Sequence, residues 1–318
     1  MNDLQKFNVR LYVIKGNILQ RAFQVYKIIR KEKPDILHYH FGFLVYFLFL
    51  FVKIFHSNIG QVLTQHCEFN YTNKIFLLCS KLCYNTLDYV LSVSEGVKLE
   101  LVNKLGNRSH YIVHYLGVAK EDIKNQYLRA SLGISQDEIV ITSIGFDVNV
   151  KGFDLLVQSI YELKKEKNIP KFKVIIIGLN GSEFLLLQNM IKHYCLEDDI
   201  ISVGIRNDID DFLYFTDIYV QPSRTEAISL SIMEALLYGI PIIGSNVGGI
   251  PEVCISGQNG ELFEKNNYIQ LKKMIVRLLL DGNLREKYGE KSLELSKKYS
   301  RLSSVKTLLT LYESVIKK

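Results

Sequence analysis

The sequence is poor in the features that would place it in several large functional classes. Its five cysteines are odd in number and include no C-x-x-C pair. A reducing cytoplasm with free thiols fits this pattern better than a disulfide framework, and no zinc site is expected. No G-x-G-x-x-G follows a strand pattern, which removes the fingerprint of a hydride-transfer enzyme. No acidic cluster has metal-ligand spacing, so no metal is expected. The opening MNDLQKFNVR lacks the apolar core of a signal peptide. The most apolar run, FGFLVYFLFLFVKIF (Phe41–Phe55), contains Lys53. Its uncharged part falls short of the ~20 residues of a spanning helix. It reads as a buried helix or one resting on a bilayer. There is no short-period repeat and no low-complexity tract.

What is present points to a two-domain α/β protein. A length of 318 residues with 48% hydrophobic and 23% charged residues supports sizeable cores. The net charge of +6 is unevenly spread: through Val118 there are 14 Lys and Arg against 7 Asp and Glu, and afterwards 25 against 26. The basic first part suggests an anionic membrane surface as partner; nucleic acid is not expected, because no recognition motif accompanies the charge. Strand and helix patterns alternate: VRLYVI, PDILHYH, IGQVLTQH, DYVLSVS and SHYIVHYL as strands, with helices between them. Gly117–Glu138 is polar and reads as a linker that is irregular, then mostly helical. A second alternating series begins at EIVITSIGF and ends in helices from about Tyr268 onward. Such alternation implies parallel, doubly wound sheets. The expected division is residues 1–118, 119–300 and a terminal helix over 301–318 that packs back on the first domain.

The segment TEAISLSIMEALLYGIPIIGSNVGGIPE (Thr225–Glu252) carries Glu226 and Glu234 with seven residues between them, in apolar surroundings. Ile228 to Leu237 reads as a mostly buried helix, stopped by Gly239 and Pro241. Ile240–Ile243 reads as a strand, and DIYVQPS upstream as another. Both glutamates thus lie near the C-terminal edge of a parallel sheet, where open α/β folds bind ligands. The helix start offers free N–H groups suited to a phosphate. Ser231-x-x-Glu234 also fits a capping box, which needs no ligand.

With KGFDLLVQSI, FKVIIIG and the whole stretch from ISVGIRNDIDDFLYF to GQNGELF, the second half resembles the retaining glycosyltransferases of family four, which have the GT-B fold and an E-x7-E motif. The likeness is strong over Ile139–Phe263 and extends weakly over PDILHYH, LTQH, SVSEGV and LYESVI. It implies two Rossmann-like domains facing a cleft. It implies that Glu226 holds donor-sugar hydroxyls and Glu234 the ribose. Backbone N–H groups of Ile228, Ser229 and Leu230 would face the diphosphate, Lys151 would neutralise the leaving phosphate, and backbone near Ile209 would meet the base. His66 in LTQHCEFN matches a histidine that reaches the reaction centre; His40 is a weaker candidate. The substrate implied is a nucleotide sugar with UDP or GDP as carrier, and no cofactor. The acceptor implied is a glycan or lipid-linked glycan of a surface polysaccharide, made by a peripheral enzyme at the inner face of the membrane.

Two departures stand out. The family places an arginine after the glycine that ends the first strand of the second domain; here Gly145 is followed by Phe146, leaving Arg206 or Arg224 to substitute. The family's opening strand and glycine-rich loop also lack a counterpart, since no Gly-Gly pair precedes Gly248, so an abbreviated first domain is expected. These departures keep two alternatives open: a catalytically impaired subunit that binds a nucleotide or a partner transferase, and a nucleotide-sugar epimerase of the same fold.

Overall fold

The strands are written in β-branched residues. The computed structural model describes residues 9–40, 52–67 and 73–317. Four strands, β1 (Ile36–His40), β2 (Gly60–Gln65), β3 (Tyr89–Ser92) and β4 (Tyr111–Val113), pair in parallel in the order β1-β2-β3-β4. Six more form a second parallel sheet: β5 (Ile139–Ile144), β6 (Phe172–Ile177), β7 (Ile200–Gly204), β8 (Ile218–Gln221), β9 (Ile242–Ser245) and β10 (Gly260–Phe263). Their order is β10-β9-β8-β5-β6-β7. Each sheet belongs to its own α/β domain.

Both faces of the second sheet are covered, which is why β5, β6 and β8 are almost wholly apolar instead of alternating. Helix Phe153–Leu163 turns Phe153, Leu156, Val157, Ile160 and Leu163 onto one face, where they meet Ile141, Val174, Ile176 and Leu187. On the other face Ile232, Met233 and Leu236 of helix Leu230–Leu237 pack with Tyr219, Ile242 and Ile250. Each such aliphatic side chain contributes roughly 1.5–3 kcal/mol relative to exposure.

The order of this sheet fixes where a ligand can enter. From β5 the chain winds outward through β6 and β7, then returns to build β8, β9 and β10 on the opposite side. The direction reverses between β5 and β8, so the helices that follow these two strands pack on opposite faces of the sheet, and a crevice opens at the strands' carboxyl ends.

The chain crosses back once more near its end. Helix Arg301–Ile316 lies on the first sheet, with Val315 packed against Val62 and Leu91. The two crossings are stitched together: the Val118 N–H donates to the Tyr299 carbonyl at 2.9 Å, and the Arg301 N–H to the Val118 carbonyl at 2.8 Å.

Three expectations need correction, and two elements were not foreseen. Val9–Ile14 is not a strand. Val9, Leu11 and Val13 are exposed, and Arg10 and Tyr12 bond instead to Glu32, at 2.6 and 2.5 Å, on helix Ile18–Glu32. Alternating apolar residues need a neighbouring strand to pair with, and none is beside them among the described residues. Within Gly117–Glu138, helix is confined to Leu128–Ser131; much of the remainder hangs on side chains, as where the Asp211 carboxylate accepts from the Lys124 and Asn125 N–H groups at 2.6 and 3.1 Å. The Ser231–Glu234 capping box does not form. Ser229 is the N-cap, its Oγ accepting from the Ile232 N–H at 3.2 Å, while Ser231 Oγ donates to Gln221. Finally, β10 and the short helix Ile250–Val253 carried no clear sequence signal. Of the Phe41–Phe55 helix, residues 41–51 lie outside the described residues, and residues 52–55 are helical.

Candidate active site

Two loops meet at the crevice. The loop leaving β5 carries Phe146 and Lys151, and the one leaving β8 carries Glu226. They are tied at their bases by Gly152, whose backbone is left-handed (φ 70°). A Cβ there would lie 1.9 Å from the Pro222 carbonyl oxygen, so only glycine lets the two loops touch. The result is a direct contact: Lys151 Nζ donates to Glu226 Oε2 at 2.6 Å, with both side chains nearly buried (13% and 11% exposed). Lys151 Nζ also stands 5.4 Å from the centre of the Phe146 ring, which is itself 68% exposed.

Behind Glu226 lies a buried polar network that the sequence reading did not pick out. Gln221 Oε1 accepts from Tyr219 OH at 2.8 Å, Ser231 Oγ at 3.1 Å and Ser229 Oγ at 3.3 Å. Gln221 Nε2 donates to Ser223 Oγ at 2.8 Å, and Ser223 Oγ donates in turn to Glu226 Oε2 at 3.4 Å. The network thus ties the helix start at Ser229 to the Glu226 carboxylate. The signal was there in DIYVQPS, where a glutamine ends an otherwise apolar strand; a buried amide must be hydrogen-bonded, and hubs of this kind fix side chains.

Glu234 sits further along the helix, half-buried. Burial raises its carboxyl to about 7, with the Asp210 carboxylate adding in the same direction. Asp210, on helix Ile209–Leu213, accepts from Tyr238 OH at 2.5 Å and from the Glu121 N–H at 3.0 Å. Ile209, at the start of that helix, packs into the core beneath. The buried Tyr219 phenol is pushed up by burial, and the charges of Glu234 and Glu226 add to this.

The arginines are held elsewhere. Arg206 forks onto Asp208 at 2.9 and 2.5 Å. Arg224 forks onto Asp154 at 2.7 and 2.6 Å, and adds the Asn149 carbonyl at 2.6 Å and Asn266 at 2.8 Å. Lys151 is the one of these three cations that contacts Glu226.

His66 is on the other sheet, just past the end of β2. Its Nε2 lies 2.8 Å from His40 Nδ1, so one ring donates and the other accepts. His40 in turn stacks on His38 with ring centres 4.2 Å apart. Burial lowers all three imidazoles, His38 to about 4, and their mutual repulsion adds to this for His38 and His66. The row is therefore neutral at physiological pH.

Residues 124–294 match the family described as Glycosyl transferases group 1, and residues 3–122 match that described as Glycosyltransferase Family 4. The chain belongs to the glycosyl transferases group 1 family. This glycosyltransferase is 28% identical over 320 residues to an uncharacterized glycosyltransferase of Methanocaldococcus jannaschii, covering 98% of this chain and 83% of that protein. It is 26% identical over 313 residues to the N-acetyl-alpha-D-glucosaminyl L-malate synthase of Bacillus anthracis, covering 93% and 78%. HepE of Anabaena, solved in complex with UDP, matches with a TM-score of 0.85 at 18% identity, covering 98% of this chain and 89% of that one. A glycosyltransferase from Rickettsia africae matches with a TM-score of 0.86 at 22% identity, covering 100% and 88%. These structural likenesses show the GT-B fold.

Proposed function

We propose that this glycosyltransferase moves a sugar, with retention and without a metal, from a nucleotide-sugar donor to a glycan or lipid-linked acceptor of a surface polysaccharide. The observation that carries this reading is the Lys151–Glu226 pair at the β5/β8 switch point, with Glu234 half-buried nearby. A cation, a sugar-sized acceptor of hydrogen bonds and a second carboxylate are what a nucleotide diphosphate sugar requires. On binding, the diphosphate draws Lys151 from Glu226 and lies against the N–H groups of Ile228, Ser229 and Leu230. Glu226 then accepts from sugar hydroxyls and Glu234 from the ribose, with backbone near Ile209 against the base. As the glycosidic bond breaks, charge collects on the leaving phosphate, where Lys151 and the helix start stabilise it. The acceptor attacks from the leaving-group side, the phosphate oxygen takes its proton, and His66, neutral, orients the acceptor hydroxyl. HepE has been solved with UDP and with UDP-glucose, which favours UDP as carrier here.

The deciding experiment is thermal stabilisation of the protein by UDP, GDP and ADP, with Glu234→Ala as control. One nucleotide raising the melting temperature, with the rise lost in the variant, supports the reading and names the base; no rise with any of them sinks it.

Peripheral membrane placement has its own support. Helix Lys74–Tyr84 exposes Ile75 (76%), Leu78 (59%) and Leu82 (56%) on one stripe, with Lys74 and Lys81 exposed beside it, in the basic part of the chain. An apolar stripe rimmed by lysines suits an anionic bilayer. Among the described residues no helix is long and apolar enough to cross a membrane.

A second reading, a donor-binding subunit with impaired turnover, is favoured by Phe146 and by the two arginines tied to Asp208 and Asp154. Sugar transfer by the purified chain alone would dispose of it.

A further inference from the structure

Glu252 joins the two domains behind the site. It sits on the short helix Ile250–Val253, in the loop after β9. Its Oε2 accepts from the Glu95 N–H at 3.0 Å, and its Oε1 from the Gly96 N–H at 3.1 Å. Tyr115 OH donates to the same Oε2 at 2.7 Å. The Glu252 main-chain oxygen accepts from Tyr299 OH at 2.7 Å. Glu95 and Gly96 open helix Glu95–Leu105 of the first domain, whose cap, Ser94 Oγ, already holds the Val97 N–H at 3.1 Å. The carboxylate of one domain thus satisfies two free N–H groups at a helix start of the other, where negative charge is favoured.

The same loop grips Glu226 on its other side. The Gly249 N–H donates to the Glu226 carbonyl at 3.0 Å. Gly248 is left-handed (φ 50°), and a Cβ there would lie 1.7 Å from that carbonyl oxygen. Across the gap, a Cβ on Gly96 would come within 3.3 Å of the Gly248 carbonyl. Three backbone segments therefore stack closely, Glu226, Gly248–Gly249 and Ser94–Gly96, and a Cβ on Gly249 would also come within 3.0 Å of the Ser94 Cβ. A cavity of about 320 Å³ opens beside them, lined by Gly96, Val97, Glu100, Glu226 and Gly248.

We propose that Glu252 is a positioning residue: it sets the spacing between the first domain and Glu226, and so the geometry in which an acceptor held by the first domain meets the donor sugar. The inference rests on the proposed glycosyltransferase reading. Glu252 works through the backbone of Gly248 and Gly249 and touches no substrate. Helix Glu95–Leu105 keeps its own Ser94 cap without it, so removing the carboxylate loosens this one contact between the domains without unfolding the helix.

The test uses the full chain as wild type, Glu252→Ala, Glu252→Gln and Tyr115→Phe. Three quantities are measured: hydrogen exchange at the 95 and 96 amides, calorimetric UDP affinity, and turnover of the donor that the nucleotide screen selects. Glutamine offers one acceptor oxygen and sets its amide against the second N–H, so it is expected to restore little. In Glu252→Ala, exchange at these amides rises about tenfold or more and kcat falls about tenfold. UDP affinity and donor KM stay within about twofold, since the nucleotide rests on the second domain. Tyr115→Phe shifts exchange and kcat the same way by less. Unchanged exchange overturns the clasp. UDP affinity falling in step with kcat overturns the positioning role, because it marks general damage to the second domain. Failure of the wild type to bind any nucleotide overturns the donor-site reading and the catalytic half of this proposal; the exchange data then judge the clasp alone.

Discussion

Lys151 and Glu226 neutralise each other in the free protein, Nζ to Oε2 at 2.6 Å, across the point where the winding of the second sheet reverses. The lysine that would meet the diphosphate is therefore competed for by the carboxylate that would meet the sugar. Glu226→Ala is expected to bind UDP as tightly as wild type or a few-fold more tightly, since Lys151 is released. Turnover should still fall by about 10²–10³, the range for removing one well-placed transition-state contact. Lys151→Ala should lose about tenfold in UDP affinity as well as turnover. Calorimetry with UDP separates the two; weaker binding in Glu226→Ala would contradict the competition.

The Glu234 carboxyl, raised to about 7 by burial and Asp210, makes nucleotide affinity pH-dependent. Ribose hydroxyls donate to the ionised form, so affinity should rise as pH climbs from about 6 to 8 and fall up to tenfold per unit below the midpoint. Asp210→Asn should move the midpoint down, and Glu234→Gln should flatten the profile. Stability of the free protein runs the other way. A raised carboxyl favours the protonated folded state, so its contribution is complete below the ordinary glutamate value of 4.5 and is lost as pH rises through about 7. Melting curves of wild type and Glu234→Gln across that window check the sign.

Phe146 occupies a position where a second phosphate-facing cation would be useful, and its ring is 68% exposed. Phe146→Arg is expected to cost less than about 0.5 kcal/mol of stability, as exposed substitutions do. UDP affinity should rise about fivefold, with a steeper dependence on salt. An unchanged affinity would show that Lys151 and the helix start already satisfy the diphosphate.

The stripe of Ile75, Leu78 and Leu82 should govern membrane attachment. Changing all three to serine is expected to lower binding to anionic vesicles at least tenfold. The exposed Leu185 and Leu186 of the second domain, changed in the same way, should leave it unaltered. Vesicle flotation at low and high salt reads out both components.

Much of this architecture could be read from periodicity alone. Helix Glu95–Leu105 appears where its pattern put it, and β6 follows its run of isoleucines. Gly239 takes the left-handed backbone (φ 68°) that its place after a helix required. Single residues whose meaning depends on distant neighbours were less legible. Ser231 looks like a cap by spacing, yet Ser229 is the cap, because Gln221 draws the Ser231 hydroxyl away. VRLYVI alternates like a strand, but alternation cannot say whether an edge stands ready to pair. The two glutamates were visible in sequence; the partnership of Glu226 with Lys151, made by residues 75 positions apart, was not. Arg224 looked available and is instead enclosed by Asp154, Asn149 and Asn266.

The seam at Val118, Tyr299 and Arg301 has a mechanical meaning. A chain that passes between two bodies at separate places resists turning, because each passage moves along its own arc. Here both passages are bonded into one short seam, so they act as a single pin, and rotation of one body about it stretches neither connection. Closure over a substrate then becomes an angular movement with one soft coordinate, and any contact away from the pin has leverage over how far it swings.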